Sequence, residues 1–418
     1  DMIWIGRVGA GAVAAVGAAG MFMWLSNGLM VLARMGGQVY TAQSLGAGKL
    51  REAGRYAQCS IQLGAVFAVL YTIAMVVFCK PLVGFFNLNS PQVVRDAESY
   101  LWLVSLGTLP SFLNQIFTAL ITTSGNSRTP FLVMGAGLVI NMVLDPVLIF
   151  GVGPVPAMGA AGAAIATTLA QVVVTLLFFL YIRRDDHLFA NVRLFSKPDW
   201  SCCRSILRLG APSAAQSCIF PLISMVIARI IAGWGDEAVA VQKVGSQIES
   251  ISWMMADGFS VAVNSFVAQN FGARNFQRAR KGYRVSMGVS TVWGLFCSVL
   301  LMTAGGLIFR IFIPDAALLP MGVDYLTILG LSQMFMCWES VTSGAYSGFG
   351  HTLTPSLVSI ILTAARIPAA MLLSATPLEL NGIWWSISLS SICKGLLLVI
   401  LFALFLRKLT AKQARAAD

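Results

Sequence analysis

The chain has 418 residues, of which 57% are hydrophobic and 11% charged, and its formal net charge is +11. A soluble domain carries about 45–50% apolar and about 25% charged residues. With a mean hydropathy of +0.79, the composition excludes a secreted disulfide scaffold, a nucleic-acid binder and a disordered chain, and it points to an all-α polytopic membrane protein.

Apolar stretches of about 20 residues, each long enough to cross about 30 Å of hydrocarbon as a helix, recur along the chain. They predict spans at 12–36, 57–79, 98–123, 130–150, 158–182, 206–233, 238–268, 285–312, 319–347, 355–376 and 382–406, after a stub at 1–8. Ten-residue units of alternating polarity, the mark of an outer-membrane barrel, do not occur. The chain begins inside an apolar segment with no basic n-region, so no cleavable signal peptide is expected. Of the 28 Lys and Arg, nineteen fall on one set of connections: three on 49–55, Arg128, six on 183–208, five on 274–284 and four on 407–415. Four fall on the alternate set: Arg7, Lys80, Arg95 and Arg310. The positive-inside rule makes the first set, and with it the C-terminal tail, cytoplasmic. Arg34, Arg229, Lys243, Arg366 and Lys394 remain inside predicted spans. The eight cysteines form no CxxC pair, and only two histidines are present, so neither a zinc site nor a disulfide framework is expected.

The chain repeats itself. Ala42-Gln43-Ser44-Leu45-Gly46-Ala47, with Ala53, returns as Ala268-Gln269-Asn270-Phe271-Gly272-Ala273, with Ala279, at an offset of 226. Ala12-Val13-Ala14 returns as Ala238-Val239-Ala240 at the same offset, and Gly125-Asn126-Ser127-Arg128-Thr129-Pro130 as Gly350-His351-Thr352-Leu353-Thr354-Pro355 at 225. Three matches in one order predict a duplication. The second copy has apolar sequence before the counterpart of Asp1, so the first helix is expected to be incomplete and the parent fold to have twelve helices. Six spans per copy give two parallel six-helix repeats. The expected organisation is a first lobe at 1–182, a cytoplasmic linker at 183–205, a second lobe at 206–406 and a tail at 407–418.

No phosphate-binding loop of the GxxxxGK[ST] type occurs, so transport energy is expected from an ion gradient or from the substrate itself. Either source makes intramembrane titratable groups functional candidates. Asp145 lies six residues before Gly151, roughly 9 Å inside the outer interface, and Asp1, six residues before Arg7, lies at a similar depth. Asn141 shares a helix face with Asp145, and Thr167 lies roughly 15 Å down the returning helix. The bland readings are an Asp145 carboxylate snorkelling to the interface, an interhelical hydrogen bond at Asn141 and a Thr167 hydroxyl bonded to its own helix. Pro146 cannot donate a backbone hydrogen bond and favours a bend there. In the second copy Asn141 pairs with Arg366 and Asp145 with Ala370, so that copy lacks the carboxylate. Glu249, Asp257 and Glu339 there stand against Lys243, Arg366 and Lys394. A buried Glu339–Arg366 or Glu339–Lys394 pair is one reading; a cavity-facing Glu339 or Glu249 that attracts cations is the other.

Ala12–Gly17, Ala42–Ala47 with Ala53, Gly125–Pro130, Asn141–Pro146 followed by Ile149-Phe150-Gly151, and Gly159–Thr167 resemble the multidrug and toxic compound extrusion (MATE) family over the whole chain. The resemblance implies twelve helices in two lobes and export of organic, often cationic, compounds in exchange for H⁺ or Na⁺. It implies a cation-coupling site at Asp1, Asn141, Asp145 and Thr167. Two carboxylates with few neutral oxygen ligands favour H⁺ there, with Na⁺ at Asp145 the alternative. Sodium-coupled members with an acidic residue on the seventh helix have no counterpart at 205–232. No cofactor and no enzymatic activity are expected. The expected surroundings are the lipid bilayer of a bacterial inner membrane, the expected ligands small organic cations, and the expected state a monomer. A lipid-linked saccharide flippase of the same superfamily is the alternative, because Arg34, Arg229, Lys243, Arg366 and Lys394 are cations inside spans. No HExxH, GxSxG or filter-like loop supports a membrane enzyme or a channel.

Overall fold

The computed structural model describes residues 2–84, 90–152, 156–185, 187–193, 196–312 and 317–417, with the backbone alone at 2, 3, 10, 236 and 412–417. The described residues are helical throughout, with no strand. They form two compact units, Asp1–Ala214 and Ala215–Asp418. The first contains α1 (Met2–Val8), α2 (Ala10–Gly46), α3 (Leu50–Val77), α4 (Cys79–Gly84), α5 (Pro91–Leu106), α6 (Thr108–Thr123), α7 (Arg128–Phe150) and α8 (Gly159–Ile182). Helix α9 (Trp200–Ala232) crosses the division. The second holds α10 (Asp236–Gly272), α11 (Phe276–Phe312), α12 (Leu319–Gly330), α13 (Gln333–Gly348), α14 (Leu353–Ala364), α15 (Arg366–Ser374) and α16 (Glu379–Ala417).

The duplication read from short motifs is written into the backbone. Helices α2 and α10 each have 37 residues, and both of their ends are offset by 226. Helices α6 and α13 each have 16, and both ends are offset by 225. Left-handed backbone recurs at matching places: Gly9 (φ 145°) with Gly235 (φ 107°), Gly48 (φ 73°) with Arg274 (φ 55°), and Gly125 (φ 86°) with Gly350 (φ 80°). These positions start or stop long helices, where a residue without Cβ adopts positive φ at no steric cost. At Arg274 the second copy keeps the turn with a side chain that resists it.

Each of the eleven predicted spans coincides with a helix or a helix pair. Among the described residues eight helices are long and apolar enough to cross a membrane, and a bent pair makes nine. The other two predicted spans are helical but less apolar: α10 carries Glu249 and Asp257 inside its length, and α12 and α13 are short.

Three spans predicted as single helices are broken. In 98–123, α5 and α6 meet at 44° around Gly107, because Pro110 leaves the Leu106 carbonyl without its helical donor. In 319–347 the break follows Gly330. There the Leu329 carbonyl accepts from the Ser332 hydroxyl (2.8 Å) and the Gln333 amide (3.0 Å), so side chains displace the helical ladder. In 355–376, Pro368 lies four residues past Ala364 and ends α14 before Arg366 by the same loss of a donor. By contrast α7 continues as one helix through Pro146.

The segment predicted as linker, 183–205, is not all connection, since α9 begins at Trp200. The Asp199 carboxylate caps it, accepting from the backbone N–H of Ser201 (3.0 Å) and of Cys202 (3.4 Å). The bonds from Cys202, backbone first, hold the Asp199 carboxyl below the usual carboxylate range. Cys202, Cys203 and Ile206 then bury against Cys59 of α3, so the start of α9 belongs to the first unit. The predicted tail also continues α16 as far as Ala417.

Candidate functional site

In the first unit α7 and α8 pack so closely that a Cβ on Gly162 would lie 2.4 Å from the Leu148 carbonyl oxygen. Glycine at this crossing draws the polar faces of the two helices together. Asp145 is 1% exposed, so its carboxylate does not snorkel to the surface. The Asn141 amide nitrogen, one helical turn earlier on α7, donates to Asp145 Oδ1 and to Thr167 Oγ1 of α8, each at 3.5 Å. The structure therefore joins three of the four residues predicted for this site. Asp1 lies outside the described residues, although α1, which follows it, packs on α7 and α8. Trp4 and Phe150 meet edge to face at 6.2 Å, with the Arg7 guanidinium 5.0 Å over the Trp4 ring.

Sequence reasoning missed Tyr100 on α5, buried at 7% exposure, whose hydroxyl is within electrostatic reach of Asp145. Its distance of 41 positions from Asn141 leaves no periodic signal. Asp145, Asn141, Thr167 and Tyr100 offer one carboxylate and a few neutral polar groups. Among the described residues no three His, Cys, Asp or Glu side chains cluster as a metal site. Replacing Gly162 with valine is expected to lower stability by about 1–3 kcal/mol and to weaken transport, as read by thermal unfolding and dye efflux. Unchanged melting would show that α7 and α8 do not need this approach.

In the second unit the predicted charges separate into two groups. Lys394 Nζ meets Glu339 Oε2 at 2.9 Å, with side-chain exposures of 6% and 13%. The other oxygen, Oε1, accepts from the Ser359 hydroxyl at 2.9 Å, and Ser359 accepts from the Gln216 amide at 3.1 Å. Arg366 is 8% exposed. Its Nε and Nη2 donate to Ser390 Oγ (2.6 Å) and Ser391 Oγ (2.9 Å) of α16, and it stands within electrostatic reach of Glu339 and then Glu249. Glu249 accepts from the Tyr325 hydroxyl at 3.0 Å and the Gln333 amide at 3.2 Å. The break that frees Gln333 from the helical ladder thus also aims it at this carboxylate. Of the two pairings left open, the direct ion pair is Glu339–Lys394. Lys243 is exposed, and the Ser340 hydroxyl reaches Asp257 Oδ1 at 3.4 Å. The serines of α16 carry a signal that was overlooked: Ser386, Ser390 and Lys394 are four residues apart on one face of an apolar helix.

Three comparisons with known proteins bear on the family and the fold. The MatE family model matches residues 1–147 and 212–372, most of both units. The chain belongs to the MatE family. As a MatE protein it is a multi-pass membrane transporter and not an enzyme. The chain is 28% identical to a probable multidrug resistance protein NorM of Thermotoga maritima, covering 96% of this chain and 87% of that one. It is 26% identical to a probable multidrug resistance protein YoeA of Bacillus subtilis, covering 92% and 84%. Among solved structures, a MOP superfamily transporter from Pyrococcus furiosus superposes with a TM-score of 0.90 at 22% identity, over 98% of this chain and 91% of that one. This last likeness shows the twelve-helix MATE-type fold.

Proposed function

We propose that this MatE protein is a secondary active exporter that expels organic cations in exchange for protons, with Asp145 as the coupling carboxylate. The buried cluster of Asp145, Asn141 and Thr167 carries the reading. A carboxylate removed from water is costly as a bare charge, so it exchanges between holding a small cation and holding none. Taking up a proton from outside removes the negative charge of Asp145 and weakens the local attraction for a cationic substrate. Losing the proton inside restores that attraction. The Thermotoga and Bacillus relatives, both probable multidrug resistance proteins, support organic compounds as cargo.

The saccharide-flippase alternative required free cations for an anionic pyrophosphate. Of the five cations behind it, Lys394 is paired with Glu339 and Arg366 is held by two serines, which weakens that reading. Right-side-out vesicles loaded with a fluorescent cation provide the test. An imposed ΔpH is expected to drive efflux and an imposed Na⁺ gradient is not; the reverse would assign the coupling to sodium. Asn141→Ala is expected to reduce the ΔpH-driven rate by about tenfold, less than loss of Asp145, because an orienting donor is worth about 1–2 kcal/mol.

The basic connections are placed on the cytoplasmic side of the bacterial cell membrane. Single cysteines introduced in a cysteine-free background at Arg193 and at Arg274 are expected to react only with reagent on that side, and one at Pro91 only from outside. Opposite labelling would invert the topology.

A further inference from the structure

The second unit has an open groove between α10 and α11 that contains none of the residues assigned to ion coupling. It encloses about 770 Å³, within the range of ligand pockets. One wall is the α10 stripe Phe259, Val263 and Phe266, spaced by four and three residues so that all face one way. The other is α11, where Val285 is 59% exposed and Val289 is 50% exposed. At one end of the groove stand Arg278 and Lys281, three residues apart on α11, both exposed. The Arg278 guanidinium lies 5.7 Å over the Phe266 ring, at the junction of the basic end and the apolar wall. Gly282 keeps this junction open to the ring, because a Cβ there would meet Phe266 Cε1 at 2.1 Å.

The basic cluster at 274–284 is divided by function. Arg280 turns away and bonds the Leu406 carbonyl (3.3 Å) and the Thr410 hydroxyl of α16. Arg278 and Lys281 instead point along the groove, and among the described residues no carboxylate pairs with either. A cationic mouth on an apolar trough is complementary to an amphiphile with an anionic head and a hydrocarbon tail. From Lys281 to Val289 the helix rises about 12 Å, room for about half of a phospholipid acyl chain. The head lies on the side with most of the basic residues, where anionic lipids attract Lys and Arg.

We infer that this groove is a binding site for one anionic phospholipid, with its phosphate on Arg278 and Lys281 and an acyl chain along Phe259, Val263 and Val289. The assignment is independent of which ion or substrate the protein transports.

The full chain, purified in a neutral detergent, is titrated with phosphatidylglycerol, phosphatidylcholine, inorganic phosphate or the deacylated glycerophosphoglycerol headgroup. The readout is the thermal unfolding midpoint. Phosphatidylglycerol alone is expected to raise it, saturably. In R278Q/K281Q the apparent affinity for phosphatidylglycerol is expected to fall about 30-fold, from about 1 kcal/mol per basic residue at a lipid surface and about tenfold per 1.4 kcal/mol. Both residues are exposed, so this variant retains the fold. The control R274Q/R284Q is expected to keep the response. The assignment is overturned by an undiminished phosphatidylglycerol response in R278Q/K281Q, by an equal loss in R274Q/R284Q, or by inorganic phosphate or the headgroup reproducing the shift.

Discussion

Replacing Asp145 with asparagine is expected to leave a folded, inserted protein that no longer concentrates a cationic dye under an imposed ΔpH. Asparagine keeps the volume of the side chain and can still accept from the Asn141 amide, which stands 3.5 Å from Asp145 Oδ1. It has lost only the ability to alternate between charged and neutral forms. Because Asp145 is 1% exposed, that alternation takes place away from water, where it changes the local field most. Coupling between two ligands of one protein is typically worth about 1–3 kcal/mol, or about 5–150-fold. The dye accumulation ratio is therefore expected to fall by about that factor. Asparagine stands in for the protonated acid, so dye affinity without a gradient is expected to fall by no more than the same factor. A variant that transports at the parental rate under ΔpH would remove Asp145 from the mechanism.

The largest effect on stability is expected at Lys394. Its ammonium meets Glu339 at 2.9 Å, with little exposure on either side. Lys394→Ala leaves the Glu339 carboxylate in place among apolar helices and removes its direct ion-pair partner. Breaking one side of a buried pair costs about 3–5 kcal/mol. For a unit of this size that lowers the unfolding midpoint by about 10 °C. Removing both charges, as Glu339→Met with Lys394→Met, is expected to recover most of the loss, because two well-packed apolar side chains need no desolvation. Thermal unfolding of the single and double variants in detergent distinguishes the cases. If Lys394→Ala melts with the parent, the pair contributes nothing to folding.

These two sites differ in how far the sequence exposes them. Asn141 and Asp145 are one turn apart on an apolar helix, so their shared face follows from helical period alone. Thr167 reached the same site through depth counted from the helix ends and through the MatE resemblance. Tyr100 and Tyr325 left no such trace, because each comes from a distant helix and looks like any aromatic in an apolar run. The spans were legible because lipid admits no backbone without internal hydrogen bonds, and only long apolar helices satisfy that demand. Where the helices break was not. An apolar stretch of 26 residues such as 98–123 averages over Pro110, and the competition of Ser332 and Gln333 for the Leu329 carbonyl is a matter of side-chain geometry. The duplication was legible in three short motifs and is repeated in the positions of left-handed backbone. Glu339 illustrates a limit of a different kind: the sequence offers both Arg366 and Lys394 as its partner, and only packing selects Lys394.

The central claim is that Asp145 trades a proton for an organic cation. Proton release on substrate binding measures it most directly. The purified protein is titrated with a cationic dye in buffers of equal pH and different ionisation enthalpies, and the heat is compared across buffers. The account predicts a buffer-dependent heat that reports protons leaving as the dye binds, and a buffer-independent heat in Asp145→Asn with dye still bound. A parent protein whose heat of binding is the same in every buffer, or a variant that releases as many protons as the parent, would contradict it.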